Sequence, residues 1–358
     1  MKKLKIGVIG AGGICTACHM PAFAEMDNVE IVAICDVKIQ KAQELADKYG
    51  IQNVFEDYND VINMDGIDAV DICTPNYLHS IIAVAALKSG LHVFCEKPDA
   101  VSVEEASKMK AAAEESGKVL MVMRNNRFTP ASEFLKKYIE DGKMGEIYAA
   151  RCGWQRRRGI PGKGGWFTTK SESGGGPLID LGVHMIDLAI WLMGNPKPIA
   201  VSGSTYTKFA NAKDTSDSIH SVFGEVKEDG IFDVEDLAMG FIKFDNGACM
   251  QIEFSWASNI EKENRFVELR GTNAGATLNF VDLNPKIYTS EYGRTVDIEP
   301  NLPADGLQQH AANIHHFTDV VLNGAKPDFV PEQGVDMIKI LTAIYKSAET
   351  GREVLLND

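Results

Sequence analysis

The first 125 residues alternate short apolar runs with helix-patterned stretches, and this alternation constrains the fold more than any other feature. The apolar runs are Leu4–Ile9, Glu30–Cys35, Ala69–Cys73, Leu91–Phe94 and Val119–Val122. Helical patterns occupy Gly13–Met26, Ile39–Tyr49, Leu78–Ser89 and Val103–Ser116. Strands joined through helices lie parallel, with helices covering both faces of their sheet. Beyond residue 125 the pattern changes. A helix near Ala131–Glu140 precedes a strand near Glu146–Trp154, a loop rich in glycine and arginine, and a helix over Leu178–Met193. From Ile199 to Tyr288 the signals are mostly strands with polar turns, and Asn246-Gly247 between apolar runs marks a hairpin. Helices near Leu307–Leu322 and Glu332–Ala348 close the chain. The expected architecture is an α/β, doubly wound parallel sheet over residues 1–125. An α+β domain with a large, mostly antiparallel open sheet follows over 126–358, its C-terminal helix free to pack back on the first domain.

Composition sets the outer bounds. A chain of 358 residues has room for two domains with their own cores. The formal charge of -14 argues against nucleic acid or an anionic membrane surface as partner. Seven scattered cysteines, an odd number, do not read as a disulfide framework and fit a reducing cytoplasm. Met1-Lys2-Lys3-Leu4-Lys5 resembles the opening of a signal peptide. The apolar run after it is cut by Gly7, Gly10, Gly12 and Gly13, and no small-residue cleavage site follows, so a first strand is expected. No stretch reaches the roughly 20 apolar residues of a membrane span.

Gly10-Ala11-Gly12-Gly13-Ile14-Cys15 leaves the first strand and opens a helix. Gly10 permits the tight turn, Gly12 lets backbone approach a pyrophosphate, and the helix start offers free N–H groups. Cys15 stands where the dinucleotide pattern has its third glycine, a position for a small residue. Asp36 ends the second strand, where an acid meets the adenosine ribose and repels a 2′-phosphate, so NAD is expected rather than NADP. Cys15-Thr16-Ala17-Cys18-His19 also spells the C-x-x-C-H haem attachment pattern, but it overlaps the glycine turn and is read as ordinary helix.

Two further clusters carry chemistry. Glu96-Lys97-Pro98 follows a strand, so Lys97 sits where ligands bind in open α/β sheets, with Pro98 holding the backbone out of helical geometry. Asp180 and His184 lie four apart on one helix and share a face, with Asp187 one turn further on. Oxidising an alcohol needs a base for the hydroxyl proton, and a histidine has the ordinary pKa for it. His184 is that candidate. Asp180 either orients the ring or accepts a substrate hydroxyl, and Lys97 polarises the reacting oxygen or shares the proton.

Taken together, Gly10-x-Gly12, Asp36, Cys73-Thr74-Pro75-Asn76-x-x-His79, Glu96-Lys97-Pro98 and Asp180-x-Gly182-x-His184-x-x-Asp187 resemble the glucose–fructose oxidoreductase, inositol dehydrogenase and rhizopine-catabolism (Gfo/Idh/MocA) family of NAD(P)-dependent oxidoreductases. The resemblance implies a Rossmann domain, a second domain with an open sheet, and a substrate cleft between them. It places Thr74, Pro75, Asn76 and His79 beside the cofactor with Glu96 and Lys97, and puts nicotinamide contacts within Arg124–Phe128. Asn125 is accordingly expected on the cofactor and Arg127 on the substrate. It also implies a homodimer or homotetramer.

Arg157, in the run Arg156-Arg157-Arg158, and Trp166 are candidate substrate contacts, with a solvated loop and a packed anchor as the plainer readings. His310, His315 and His316 share a helix, but no acid or cysteine completes a metal site; His315 or His316 is a further substrate candidate. The expected function is hydride transfer between NAD and a secondary alcohol of a sugar, glycoside or cyclitol, with C3 of a glycoside a plausible position. The alternatives are a glycosidase that oxidises its sugar transiently to permit elimination, and a sensor that binds NAD and sugar without turnover.

Overall fold

In the computed structural model, which describes residues 3–211, 218, 221, 223–280, 284–302 and 308–356, the alternating region forms a six-stranded parallel sheet. Its strands are β1 (Leu4–Ile9), β2 (Val29–Cys35), β3 (Asn53–Phe55), β4 (Ala69–Ile72), β5 (His92–Cys95) and β6 (Leu120–Val122), in the order β3-β2-β1-β4-β5-β6. The order runs outward from the β1–β4 pair in both directions. The carboxyl ends of those two strands are therefore the switch point at which such a sheet holds its ligand. The helices Ile39–Tyr49 and Val103–Ser116 fall where their periodicity places them. β3 and the helix Tyr58–Ile62 are additions, because a three-residue strand with every residue half-buried carries no readable period. The first helix is not regular: Cys15–His19 is π-helical and runs into the α-helical turn Met20–Ala24. Such widened turns gather at functional positions.

The chain groups into two compact units, Met1–Asn125 with Leu307–Ile338, and Asn126–Gly306 with Lys339–Asp358. The helix Gln309–Asn323 belongs to the first because its apolar stripe of Ile314, Phe317 and Val320 is buried there, Phe317 lying 5.1 Å from Phe94 of β5. The expected start of that helix, Leu307, lies outside the described residues.

The second unit is built on a nine-stranded sheet of β7 (Ile147–Gln155), β8 (Pro198–Tyr206), β9 (Leu237–Phe244), β10 (Cys249–Ser255), β11 (Asn264–Gly271), β12 (Gly275–Asn279), β13 (Asn284–Glu291), β14 (Arg294–Ile298) and β15 (Val354–Leu355). The order is β14-β13-β12-β11-β7-β10-β9-β8-β15, antiparallel except for the parallel pair β7–β10. Asn246-Gly247 turns β9 into β10 as its chemistry predicts, with Gly247 donating to the Phe244 carbonyl. Against β10 lies the helix that begins as a π-helical turn, Leu178–Gly182, and continues as Val183–Leu192. A Cβ on Gly182 would stand 3.2 Å from the Phe254 ring, so glycine sets how closely helix and sheet approach. Leu178, Leu181, Met185, Ile186, Leu188 and Leu192 are at most 2% exposed, each worth about 1.5–3 kcal/mol of burial. The stretch Lys170–Leu192 does have the length and hydropathy of a membrane span, contrary to the expectation that none would, but 83% of its apolar window is buried inside the structure. It is apolar on all sides because it is surrounded by protein.

Candidate active site

Six of the expected cofactor positions lie at or within three residues of the carboxyl ends of strands in the first sheet: Gly10 after β1, Asp36 after β2, Thr74 just past β4, Glu96 and Lys97 after β5, and Asn125 beyond β6. Gly10 adopts φ 102°, and a Cβ there would stand 2.6 Å from the Cys73 carbonyl oxygen, so the turn admits only glycine. At Gly12 a Cβ would meet no atom within 4 Å. The protein itself does not demand glycine there, whereas a pyrophosphate laid on the turn would. Gly13 is exposed and Ile14 half-buried as the helix opens. Asp36 accepts hydrogen bonds from Ala11 N–H at 2.7 Å and Lys38 N–H at 2.8 Å, which aims its carboxylate beside the glycine turn. Two buried polar atoms at the same strand ends, Thr74 Oγ1 and Asn125 Oδ1, have no protein partner among the described residues. Buried oxygens without partners are rare in folded proteins and fit a ligand that completes them. These features together suit a dinucleotide.

Pro75 and Asn76 lead from β4 into the short turn Asn76–Leu78 and the helix His79–Lys88. His79 is fully buried, with Nδ1 2.7 Å from the Pro98 carbonyl and Nε2 2.9 Å from the Thr74 carbonyl. Both ring nitrogens are thus occupied by backbone. The expectation of a cofactor contact gives way to a brace that ties the Thr74 turn to the Lys97-Pro98 turn. Burial lowers its pKa, with the two carbonyls opposing. Lys97 is half-buried, precedes a cis peptide bond to Pro98, and donates its backbone N–H to Glu96 Oε2 at 3.1 Å.

Glu96 leads to a network that motif reading passed over. His19, fully buried on the π-helical turn, places Nδ1 3.0 Å from both Asp71 carboxylate oxygens and Nε2 2.9 Å from Glu96 Oε1. Cys73 Sγ lies 3.4 Å from the same Nδ1. His19, Asp71 and Cys73 are of metal-ligand type, but each ring nitrogen is already at hydrogen-bonding distance from a carboxylate. A signal was available: Asp71 stands inside the apolar strand Ala69–Ile72, and a buried carboxylate needs a partner. Burial disfavours charge on His19, yet Asp71 and then Glu96 outweigh it and raise the pKa well above the usual value. Burial likewise works to raise Glu96, but His19 and then Lys97 bring it down to about 2.

In the second unit Asp180 and His184 are each set against a tryptophan from the parallel pair of strands. Trp256, just beyond β10, donates Nε1–H to Asp180 Oδ2 at 2.9 Å. Trp154 of β7 lies 6.2 Å, ring centre to ring centre, from His184, and its own Nε1–H is held by Glu263 at 2.8 Å. The start of this helix is anchored by Glu235, a buried carboxylate with no sequence signal. It accepts from Gly176 N–H at 2.9 Å, Leu178 N–H at 3.0 Å and the Tyr345 hydroxyl at 2.9 Å. Burial raises the Glu235 pKa against these hydrogen bonds.

Several expected substrate contacts are elsewhere. Arg127 is 2% exposed and grips Asp187 with Nε at 2.8 Å and Nη2 at 2.6 Å, so both are structural and Arg127 does not face a substrate. Arg157 is exposed, with Nη1 on the Glu261 carbonyl at 2.9 Å, as its plainer loop reading has it. Alternation along the extended chain puts Arg156, two residues from Trp154, on the indole instead, at 4.7 Å. Arg265 lies 4.0 Å from the same ring. Trp166 is half-buried and stacked 3.8 Å from Phe167. His316 accepts from Asp328 N–H at 3.0 Å and braces a loop rather than reaching a substrate. All seven cysteines are free thiols.

Residues 4–124 match the family model described as an oxidoreductase family, NAD-binding Rossmann fold, and residues 133–277 match the GFO/IDH/MocA C-terminal domain. The chain is 35% identical over 356 residues to D-glucoside 3-dehydrogenase of Escherichia coli (strain K12), covering 99% of this chain and 97% of the relative. It is 33% identical over 295 residues to levoglucosan dehydrogenase of Pseudarthrobacter phenanthrenivorans, covering 78% and 74%. A solved levoglucosan dehydrogenase in complex with NADH and L-sorbose superposes with a TM-score of 0.88 at 27% identity over 100% of both chains. With its glycine turn, Asp36 and two matched domains, the chain belongs to the Gfo/Idh/MocA family and is an NAD-dependent sugar or polyol dehydrogenase.

Proposed function

We propose that the protein oxidises a secondary alcohol on the ring of a glycoside, at C3, with Lys97, Asp180 and His184 as the catalytic residues. The observation that carries this reading is the pair Asp180–His184 on one helix, Asp180 hydrogen-bonded by the Trp256 indole and His184 beside that of Trp154, together with similarity over 99% of the chain to a glucoside 3-dehydrogenase. Aromatic walls with a few placed polar groups are what a ring substrate requires. NAD, held by the glycine turn and Asp36, would supply the acceptor for the hydride leaving the carbinol carbon. His184 takes the hydroxyl proton, the Lys97 ammonium polarises the same oxygen, and Asp180, steered by Trp256, accepts a neighbouring hydroxyl or orients the ring. Thr74 and Asn125 would complete hydrogen bonds to the cofactor, and Asp36 would favour NAD by repelling a 2′-phosphate. The free thiols support a reducing, cytoplasmic setting, and a homodimer or homotetramer rests on the family resemblance.

The test is turnover of a panel of glucosides, anhydro sugars and cyclitols with NAD, the product's carbonyl located by NMR. Lys97→Ala and His184→Ala should each lower kcat by about 10²–10⁴-fold while NADH still binds. Undiminished turnover in either variant refutes that residue's role. A carbonyl at another carbon refutes C3, and released aglycone without net NADH would select the elimination pathway instead.

A further inference from the structure

His19 is buried beneath the strand ends, and nothing in the proposed chemistry uses it. Its two ring nitrogens face two different carboxylates, Asp71 at 3.0 Å and Glu96 at 2.9 Å. A neutral imidazole has a single N–H and would turn a lone pair toward one of them; only the imidazolium donates to both. Glu96 uses its second oxygen, Oε2, to accept the Lys97 backbone N–H. A continuous chain of hydrogen bonds thus runs from Asp71 in β4, through the π-helical turn that follows the glycine loop, to the backbone of Lys97.

We propose that His19 is a positioning residue for Lys97, acting through Glu96 as a doubly hydrogen-bonded imidazolium. This deepens the proposed function and rests on its reading of Lys97. The raised pKa of His19 and the lowered pKa of Glu96 run in the direction the geometry demands. The packing favours a fixed ring: Phe94 lies 6.0 Å from the imidazole, and Asp71 and Glu96 are themselves 0% and 5% exposed. The arrangement makes the segment that carries the glycine loop and the segment that carries Lys97 one hydrogen-bonded body. Lys97 is then placed relative to the cofactor turn before any substrate arrives.

A double-mutant cycle in kcat tests this. His19→Gln can donate to one carboxylate but not to both, and should lower kcat by about 10–100-fold, the cost of a misplaced catalytic group. The NADH dissociation constant, read by fluorescence, should stay within about threefold. In a Lys97→Ala background the same substitution should change kcat by less than about threefold, because the residue through which it acts is gone. An equal loss in both backgrounds, or kcat within about twofold of wild type for His19→Gln alone, overturns the proposal. If Lys97→Ala itself retains full turnover, the assignment of Lys97 fails first, and the cycle shows that separately. Should His19→Gln not fold, Glu96→Gln carries the same expectations for kcat in both backgrounds, since its amide oxygen cannot serve both His19 and Lys97. The unaltered protein gives one more readout: ¹⁵N imidazole shifts with both His19 nitrogens protonated near pH 8 support the proposal, and a neutral tautomer there overturns it.

Discussion

As pH rises above the unfolded histidine pKa of about 6.5 the protein should lose stability through His19, by at most about 1.4 kcal/mol per pH unit, and His19→Gln should abolish that slope. In an unfolded chain a histidine releases its proton near pH 6.5. In the folded protein burial opposes the charge, but Asp71 and then Glu96 more than reverse this, and the pKa rises well above the usual value. The resulting stability is fully present below the unfolded pKa. It is lost as pH rises toward the folded pKa, because the folded state keeps a proton that the unfolded chain has released. His79, His92 and His316 have pKa values lowered by burial, so their contributions change only below the unfolded value. The thiols raised by burial, Cys18, Cys35, Cys73, Cys95 and Cys152, begin to matter only when unfolded cysteine ionises near pH 8.5. Urea unfolding followed by far-UV circular dichroism at stepped pH measures the slope. The four tryptophans, Trp154, Trp166, Trp191 and Trp256, all belong to the second unit, so their fluorescence separates its transition from that of the unit holding His19. Parallel pH profiles for the protein and His19→Gln would refute the doubly paired imidazolium.

The glycine turn separates folding from binding. Gly12→Ala should leave the melting temperature unchanged yet weaken NADH binding at least ~10-fold, as ordered pyrophosphate contacts are lost, whereas Gly10→Ala, with its Cβ 2.6 Å from the Cys73 carbonyl, should cost both; calorimetry and fluorescence titration decide. Arg127→Met strands the buried Asp187 carboxylate and should destabilise the second unit by about 3–5 kcal/mol, while adding Asp187→Leu should recover much of it in urea titrations. Asp36→Ser should raise kcat/KM for NADP relative to NAD, and an unchanged ratio would show that the carboxylate does not set cofactor choice. Glu235→Gln, which cannot accept all three of its hydrogen bonds as a carboxylate does, should cost about 1–3 kcal/mol and lower kcat through the displaced Asp180–His184 helix; thermal melts and steady-state kinetics read the two effects.

What was legible in the chain was what local chemistry specifies. The helices Ile39–Tyr49 and Val103–Ser116 and the strand Leu4–Ile9 follow from short-range apolar periods, and Gly10 from a turn that no other residue can make. Less was legible where a residue's role depends on a distant partner. Arg127 reads as a free cation beside a cofactor strand until Asp187, sixty residues on, is seen to take both of its prongs. Arg157 and Arg156 are indistinguishable in a run of three arginines until strand alternation assigns one to an indole and one to a carbonyl. Glu235 lies in an ordinary acidic pair, and only the close approach of the Gly174–Pro177 turn makes it the anchor of a helix.

The amino-acid sequence by itself determined the kind of molecule: a parallel sheet with a glycine turn and an acid two strands' ends apart for NAD, and a lysine and an aspartate–histidine pair for alcohol chemistry. Those are patterns of spacing, and spacing survives without coordinates. Only the tertiary structure decided which charges serve chemistry and which serve the fold. His19 was the last residue of a cysteine motif read as ordinary helix; packed under β4 and β5 it became a cation shared by two buried carboxylates. The physical reason is desolvation. A charge in water is tolerated anywhere, but a charge inside a protein is kept only where another group meets it, and that partner is chosen by the fold.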